Sequence, residues 1–133
     1  MAQNSFHCTV ITPKQQVLDQ DITGAVIPAW DGEIGLLKQR APLMVKLGHG
    51  TMRLDGAGDG PDRLFIGGGF AQMKGDQLTL LTDEAQPVSE INVEEAQAAL
   101  KEAEAFQPQD AAQTERRQRD IQRAKALLKA AGH

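Results

Sequence analysis

The sequence predicts a mostly β N-terminal sandwich of about ten short strands, followed by a C-terminal antiparallel α-helical hairpin. Short apolar segments are separated by glycine-, proline- and aspartate-rich corners about every 8 to 12 residues, which is typical of a β-sandwich or barrel. After Ile91 the apolar spacing becomes that of amphipathic helices, and Pro108 interrupts the helical pattern once. We therefore expect a sandwich domain over residues 1–88 and a two-helix hairpin over residues 89–133.

Composition limits the class of protein. The chain has 133 residues and a formal net charge of −4, which argues against a dedicated nucleic-acid binder. Its single cysteine, Cys8, excludes an internal disulfide, and we interpret it as a small apolar filler in the first strand. No apolar run approaches the roughly 20 residues of a spanning helix, and the polar start is unlike a signal peptide. These features predict a soluble protein in a reducing compartment, which associates with a membrane only through partners.

The first third of the chain predicts strands joined by turns. Residues 6–11 alternate with the period of a half-buried strand, and residues 16–18 suit a short returning strand after a turn at residues 12–15. His7 has no acidic partner nearby in the sequence, so we interpret it as a solvated strand histidine. Residues 22–28 form the next predicted strand, and the Asp31-Gly32 pair favours a hairpin or bulge, because glycine accepts positive φ.

The middle of the chain predicts more strands of the same kind. Residues 43–47 and 51–54 are expected to pair around Gly48-His49-Gly50, and the glycine-rich residues 55–62 to form a loop. Residues 64–66 then form an apolar strand. A tight hairpin at residues 74–77 leads into a strand at residues 78–82.

The triple glycine at residues 67–69 has two interpretations. A phosphate-binding loop needs a helix N-terminus directly after the glycines, usually with a lysine followed by serine or threonine. The following Phe70-Ala71-Gln72-Met73 segment is short and leads into a hairpin. We therefore favour a strand bend at which another backbone packs closely.

Both predicted helices begin at a capping residue. Asn92 with Glu95 resembles a capping box, and Asp110 is suited to cap the second helix after the break at Pro108. Each helix has one apolar stripe rich in alanine, and each missing methylene forgoes about 0.8 kcal/mol of burial. The stripe of the first helix is Val93, Ala96, Leu100 and Ala103, and that of the second is Ile121, Ala124, Leu128 and Ala131.

The two helices carry opposite charge. Residues 92–110 hold five acids and one lysine, a net charge of −4, whereas residues 111–133 hold six bases and two acids, a net charge of +4. Weak packing combined with a salt-sensitive attraction is what a detachable hairpin needs. A fixed hairpin with two solvated faces explains the same pattern equally well.

No catalytic or metal-binding constellation emerges from the sequence. The acid pairs Asp31 with Glu33 and Asp83 with Glu84 fall in turns and at strand ends, where carboxylates are ordinarily solvated. His49 lies at a strand margin and His133 is the last residue, and no metal-ligand spacing is present. We therefore expect a protein that is not an enzyme and that holds no metal or cofactor.

Two motifs in order resemble the epsilon subunit of F-type ATP synthases. That family has a Gly-Glu-Leu/Phe-Gly-Ile-Leu segment before a Pro-Gly-His-Ala-Pro-Leu turn, and this chain has GEIGLL at residues 32–37 followed by KQRAPL at residues 38–43. The family's Ser-Gly-Gly-Phe strand start corresponds to Gly67-Gly68-Gly69-Phe70. With the two-helix tail, the resemblance covers the whole chain.

The resemblance implies a position in the central stalk of the synthase, with a c-ring contact and a gamma-subunit contact. The implied c-ring contact is Asp31, Gly32, Glu33 and Ile34, and the implied gamma contact is Arg40, Ala41, Pro42 and Leu43. The family's Pro-Gly-His is here Lys38-Gln39-Arg40, so a histidine contact becomes an arginine contact, for which we expect a compensating acid on gamma. A solvated turn is the alternative interpretation of Arg40.

The resemblance also implies that the hairpin either folds against the sandwich or extends towards the alpha and beta subunits and inhibits ATP hydrolysis. Three arginines at helical spacing form a basic stripe suited to that contact: Arg116, Arg119 and Arg123. Some family members bind ATP through an Ile/Leu-Asp-x-x-Arg-Ala motif, of which this chain has a degenerate version. Its members are Ile91, Asn92, Glu95 and Ala96, with Arg123 on the second helix. Because Glu95 replaces a phosphate-facing arginine, we predict no useful ATP binding.

The leading hypothesis from the sequence is therefore a non-catalytic central-stalk subunit of a proton-translocating bacterial F-type ATP synthase. The resemblance implies peripheral attachment, through the complex, to the cytoplasmic side of the inner (plasma) membrane. The alternative is a freestanding β-sandwich protein-binding module whose helical hairpin recognises an unrelated partner. Co-purification with gamma separates the two hypotheses.

Overall fold

The computed structural model describes residues 4–132, so predictions about residues 1–3 and His133 lie outside the described residues. Within that range the chain forms ten strands, one 3₁₀ turn and two α-helices. The strands are β1 Phe6–Ile11, β2 Gln16–Ile22, β3 Gly24–Ala29, β4 Gly32–Leu36, β5 Leu43–Lys46, β6 His49–Asp55, β7 Arg63–Gly67, β8 Phe70–Lys74, β9 Gln77–Leu81 and β10 Ala85–Pro87. A 3₁₀ turn at Val88–Glu90 leads into α1 (Val93–Ala105) and α2 (Ala111–Ala130).

The strands form two five-stranded sheets. The first sheet has the order β2-β1-β9-β8-β5, and the second has the order β10-β7-β6-β3-β4. Within the sheets every pairing is antiparallel except that of β1 with β9, which is parallel. This architecture confirms the predicted sandwich followed by a helical pair.

The core lies between the two sheets and is built from alternate side chains of each strand. In β1, for example, Phe6, Cys8 and Val10 are buried while the residues between them are partly exposed. Fully buried residues of the second sheet, such as Ile27 and Met52, belong to the same cluster. Each fully buried aliphatic side chain contributes roughly 1.5–3 kcal/mol from the removal of apolar surface from water, so this core holds the sandwich together.

The structure corrects one strand boundary. The second strand runs through residue 22 rather than ending at residue 18, and β3 begins at Gly24. The polar residues 19–21 have low intrinsic preference for strands, but their backbones pair with β1, as in the Asp21–His7 pair. Pairing with a neighbouring strand therefore overrides local propensity here.

The structure also corrects the pairing predicted around Gly48-His49-Gly50. Strand β5 pairs with β8 in the first sheet, whereas β6 pairs with β3 and β7 in the second. The chain changes sheets at this corner, where Gly48 N–H donates to Pro28 O at 2.9 Å. A hairpin and a corner that joins two sheets have the same local signature of apolar segments around glycine.

The interpretation of the triple glycine as a strand bend is confirmed. Gly68 and Gly69 have positive φ values of 79° and 99°. A Cβ atom on Gly69 would run into the backbone of Leu81 and Thr82, so only glycine fits this close approach. The predicted tight hairpin is also present, because Lys74 pairs with Gln77 across the turn from β8 to β9.

Both predicted helix caps are present. Asn92 Oδ1 accepts a hydrogen bond from Glu95 N–H at 3.1 Å, and Asp110 Oδ1 accepts one from Gln113 N–H at 2.8 Å. Helices α1 and α2 pack against each other, and α2 also contacts β6 and β7 on the outer face of the second sheet. Over residues 4–132, neither helix combines the length and the apolar character that crossing a membrane requires.

Candidate functional site

The tip of the β3–β4 hairpin, formed by the turn and the start of β4, presents the residues predicted to meet the c-ring. Asp31, Gly32 and Glu33 are exposed, whereas Ile34 is partly buried and packs against the sandwich core. The neighbouring Trp30 is 67% exposed, an unusual position for the largest side chain of the protein. Trp30 was missed as a candidate contact residue, although a lone tryptophan beside an Asp-Gly turn is a visible signal.

The predicted gamma-contact segment is an exposed loop that leads into β5. Arg40, Ala41 and Pro42 are exposed, and Leu43 is partly buried against the core. Gln39 has a positive φ of 69°, a conformation that costs a residue with a side chain roughly 1–2 kcal/mol. Gln39 occupies the position of the glycine in the family motif given above, and glycine adopts a positive φ without this cost.

An apolar patch on the outer face of the first sheet lies beside that loop, and the sequence reading missed it. We call Met44, Phe70 and Leu81 the outer patch; they are 68%, 55% and 56% exposed. Phe70 pairs with Leu81 across β8 and β9, and Leu81 pairs in turn with Ile11. Within β8, Ala71 and Met73 alternate with Phe70 and are buried, so Phe70 faces away from the core. Local alternation does not show that Met44 and Leu81 lie beside it.

The hairpin covers the outer face of the second sheet through a small apolar contact. Phe65 of β7, Ala96 of α1 and Leu127 of α2 are buried together. The predicted stripes are present in part: Ala96, Ala103 and Ala124 are buried, while Val93, Leu100, Ile121, Leu128 and Ala131 are partly exposed. Leu127 was missed because it lies one position before the predicted Leu128.

A bidentate ion pair joins the hairpin to the sandwich. Arg123 of α2 donates from Nε to Glu84 Oε1 at 2.6 Å and from Nη2 to Glu84 Oε2 at 2.7 Å. The hydrogen bond to Glu84 raises the pKa of Arg123. Glu84 lies in the segment between β9 and β10, 39 residues from its partner, so sequence proximity gave no sign of the pair. The earlier interpretation of Glu84 as an ordinary solvated carboxylate is therefore wrong.

His49, the first residue of β6, lies near this ion pair. Burial lowers its pKa, and the charges acting on it come from Glu84 and Asp83 in the β9–β10 segment and from Arg123 and Arg119 on α2. Its neutral form is therefore favoured while the hairpin covers this part of the second sheet. A partly buried histidine between the sandwich and the hairpin changes its environment when the two separate.

The three arginines of the predicted basic stripe have different environments. Arg116 and Arg119 are exposed, whereas Arg123 is partly buried and bonded to Glu84. A neighbouring groove of about 700 Å³ between the helices is lined by both charged and apolar residues. Arg117 also lines it and donates from Nη2 to Glu104 O at 3.1 Å, near the end of α1.

The residues of the degenerate ATP motif have structural contacts of their own. Asn92 caps α1 through the backbone of Glu95, and Ile91 packs with the buried Ala96 in the apolar contact beneath the hairpin. The remaining member, Arg123, is bonded to Glu84. The prediction that the chain has no useful ATP affinity remains a prediction.

His7 has two acidic neighbours that its sequence position did not reveal. Its Nδ1 atom lies 2.8 Å from Asp21 Oδ1, and its Nε2 atom contacts Asp19 Oδ1. These hydrogen bonds raise the pKa of His7, with the Asp21 bond the larger cause. Between residues 4 and 132, no group of three or more histidine, cysteine, aspartate or glutamate residues has a geometry that could hold a metal ion.

Comparisons with known proteins agree with this fold over the full length. The family model for the β-sandwich domain of the ATP synthase delta/epsilon chain matches residues 5–88. The ATP synthase epsilon chain of Granulibacter bethesdensis is 38% identical, and the match covers 100% of both chains. The epsilon chain of Rhodopirellula baltica is 36% identical over 95% of this chain and 98% of its own length.

Solved structures give the same result. A chain in the Euglena gracilis mitochondrial ATP synthase, solved with OSCP, F1 and the c-ring, superposes with a TM-score of 0.82 at 27% identity. That match covers 97% of this chain and 82% of the other. A chain of the Tetrahymena thermophila central stalk and c-ring superposes with a TM-score of 0.76 at 10% identity, covers 94% and 95%, and supports the fold alone. Sandwich, hairpin and full-length relatives together show that this chain belongs to the ATP synthase epsilon chain family.

Proposed function

We propose that this chain is a non-catalytic central-stalk subunit of a proton-translocating F-type ATP synthase, in which it links gamma to the c-ring. Full-length similarity to epsilon chains and superposition on a chain solved with F1 and the c-ring support this role. The observation that carries this proposal is the outer patch, which is exposed on the first sheet. The hairpin packs on the second sheet and so leaves the patch available to a partner. A subunit that turns with the rotor needs a rigid, exposed surface that gamma can bind.

The gamma contact is proposed to combine the Arg40–Leu43 loop with the outer patch. Aromatic and arginine side chains dominate binding energy at protein interfaces, and this surface offers Phe70 beside exposed Met44 and the arginine of the loop. Met44 follows Leu43 directly, so the loop and the patch are continuous. The surface therefore suits a partner that offers an apolar centre and a carboxylate facing Arg40.

The test is co-purification of gamma with variants of this surface. Phe70→Asp is expected to weaken binding at least tenfold, because it places a charge in the apolar centre of the interface. Arg40→Glu is expected to weaken binding less, by roughly 1 kcal/mol, through charge repulsion at the rim of the interface. Arg63→Glu is the matched control, because Arg63 is exposed on β7 of the other sheet. Full gamma binding by Phe70→Asp would reject the proposed interface.

The c-ring contact is proposed at the tip of the β3–β4 hairpin. Asp31 and Glu33 give this tip two exposed negative charges, and Trp30 adds apolar surface beside them. A partner loop with basic and apolar side chains complements it. Glu33→Lys is expected to reduce assembly with the c-ring while gamma binding stays intact, which pull-downs with each partner would measure.

The hairpin is proposed to restrain ATP hydrolysis through Arg116, Arg119 and Arg123 when it contacts the alpha and beta subunits. The net charge of +4 on residues 111–133 supports an acidic partner. Truncation after Gln109 is expected to raise the ATP hydrolysis rate of the assembled enzyme, and an unchanged rate would reject this role. Replacing Arg116 and Arg119 together by glutamine is expected to reproduce part of the increase.

No ATP affinity is proposed for the isolated chain, since glutamate replaces the motif arginine at position 95. Calorimetric titration with Mg-ATP should show no sub-millimolar binding. The complex is proposed to hold the chain at the cytoplasmic face of the inner (plasma) membrane of a bacterium. The alternative, a freestanding module with a helical recognition tail, requires that gamma from the same organism does not bind the chain.

A further inference from the structure

The ion pair between Arg123 and Glu84 has a geometry suited to holding two units together. Both guanidinium–carboxylate hydrogen bonds are short, at 2.6 and 2.7 Å, and they form the paired fork arrangement that arginine favours. The side chains are 40% and 29% exposed, so solvent screens the pair only in part. The contact spans the β9–β10 segment and the middle of α2, and it breaks when the hairpin leaves the sandwich.

The apolar contact beside this pair is modest. Phe65 is the buried sandwich residue in it, and Ala96 and Leu127 are the buried hairpin residues. An alanine contributes far less burial than a leucine, at about 0.8 kcal/mol for each methylene. Partly buried apolar surface is added to this contact by Ile91, Ala126, Leu128 and Ala130. The ion pair adds a directional, charge-dependent contact to this apolar surface.

We propose that Glu84 and Arg123 form a latch that holds the hairpin on the second sheet, and that the hairpin is released only when Arg123 leaves Glu84. In the docked hairpin the Nε–H and one Nη2–H of Arg123 are bonded to Glu84, so these donors are not available to a second carboxylate. Docking therefore withholds Arg123 from the basic stripe, a consequence that rests on the inhibitory role proposed above. The latch itself does not depend on that role.

His49 is partly buried on β6, the strand against which α2 packs, so its charge makes the latch sensitive to pH. It faces two acids of the β9–β10 segment, Asp83 and Glu84, and two arginines of α2, Arg119 and Arg123. Burial lowers its pKa in the docked form, while in the released form it returns towards the ordinary value of about 6.5. Docking is thus fully favoured above about pH 6.5 and weakens as the pH falls from there through the lower docked pKa. Acidification shifts the population towards the released hairpin.

The test uses the full chain with a thiol reporter beneath the hairpin. Leu127→Cys places a thiol in the buried contact with Phe65, so its alkylation rate follows the fraction of released hairpin. The native thiol interferes little, because Cys8 is buried and its pKa is raised to about 12. The smaller side chain also weakens docking and brings release into a measurable range.

In this reporter background, Glu84→Gln and Arg123→Gln are each expected to raise the alkylation rate about fivefold. The charge-swapped pair Glu84→Arg with Arg123→Glu is expected to restore much of the slow rate. Lys125→Gln is the matched control, because it removes one positive charge from an exposed position two residues along α2. Unchanged rates in both single variants would overturn the latch, as would a swapped pair that reacts as fast as they do.

The pH dependence has its own control. The rate of the reporter protein is divided by that of its His49→Gln version at each pH, which cancels the intrinsic titration of the thiol. The ratio is expected to rise several-fold between pH 7.5 and pH 5.5, and a flat ratio would overturn the role of His49. All of these rates are measured without gamma or F1, so they stand or fall separately from the proposed function.

Discussion

The sandwich and the hairpin are held in place by different kinds of contact. The sandwich core buries bulky side chains completely, among them Ile27, Leu64 and Leu80, each 0% exposed. The hairpin rests on the second sheet through a small apolar contact and one ion pair with Glu84. The first kind of contact gives a rigid body, and the second gives an element whose release leaves that body folded.

The largest effect is expected from truncation in the sandwich core. Leu80→Ala should lower the free energy of unfolding by about 3 kcal/mol, because it removes a fully buried side chain and leaves a cavity. Leu81→Ala is the matched control: it lies next in β9 with its side chain 56% exposed, and should cost less than about 0.5 kcal/mol. Urea unfolding followed by circular dichroism measures both. Equal losses would contradict the observed alternation of β9.

A second test concerns the close approach at the triple glycine. Gly69→Ala is expected to lower the free energy of unfolding by about 2–3 kcal/mol, because positive φ and a clash with the Leu81 backbone act together. Gly75→Ala separates the two causes. Gly75 also has positive φ, at 62°, but a Cβ atom there meets open space, so about 1 kcal/mol is expected. If Gly75→Ala lowered the free energy of unfolding as much as Gly69→Ala, the clash with the Leu81 backbone would make no energetic contribution.

A smaller and more local effect is expected in the hairpin. Asp110→Ala removes the side-chain cap of α2 and should cost about 1 kcal/mol of helix stability. Because the sandwich has its own core, amide hydrogen exchange should accelerate in α2 while the β-strands keep their protection. Gln107→Ala, in the exposed connection between the helices, serves as the control. Faster exchange throughout the strands would show that the hairpin and the sandwich unfold as one unit.

The smallest effect is a predicted gain. Gln39→Gly should raise the free energy of unfolding by roughly 0.5 kcal/mol, since relief of the positive φ outweighs the added freedom of glycine in the unfolded chain. The same change at Gln72, in the extended strand β8, should lower stability instead. If Gln39→Gly lowered the free energy of unfolding instead, the side chain of Gln39 would have to stabilise the fold by more than its positive φ costs.

Local patterns in the sequence predicted most of the elements and both helix caps. Alternation in Phe6–Ile11 and the capping residues Asn92 and Asp110 each depend on residues within a few positions, and each is confirmed. The sequence also carried the family resemblance, which the full-length relatives confirm. Contacts between distant residues left no such local trace.

Four features could not be predicted because they arise from the packing of distant segments. The corner near Gly48 joins two sheets instead of forming a hairpin, which depends on strands far along the chain. The outer patch appears only when β5, β8 and β9 become neighbours. The Glu84–Arg123 pair spans 39 residues, and two carboxylates reach His7 from the facing strand β2. To predict any of these features, one must first know the register between strands or the position of the hairpin.

The most direct test of this division between the two regions is the affinity of gamma for the full chain and for the chain truncated after Gln109. If the sandwich carries the stalk contact, the two dissociation constants should agree within about twofold, since the truncation leaves the outer patch intact. A loss of tenfold or more, about 1.4 kcal/mol, would place a large part of the contact on the second helix. That result would contradict the account of a rigid sandwich that binds and a hairpin that is free to regulate.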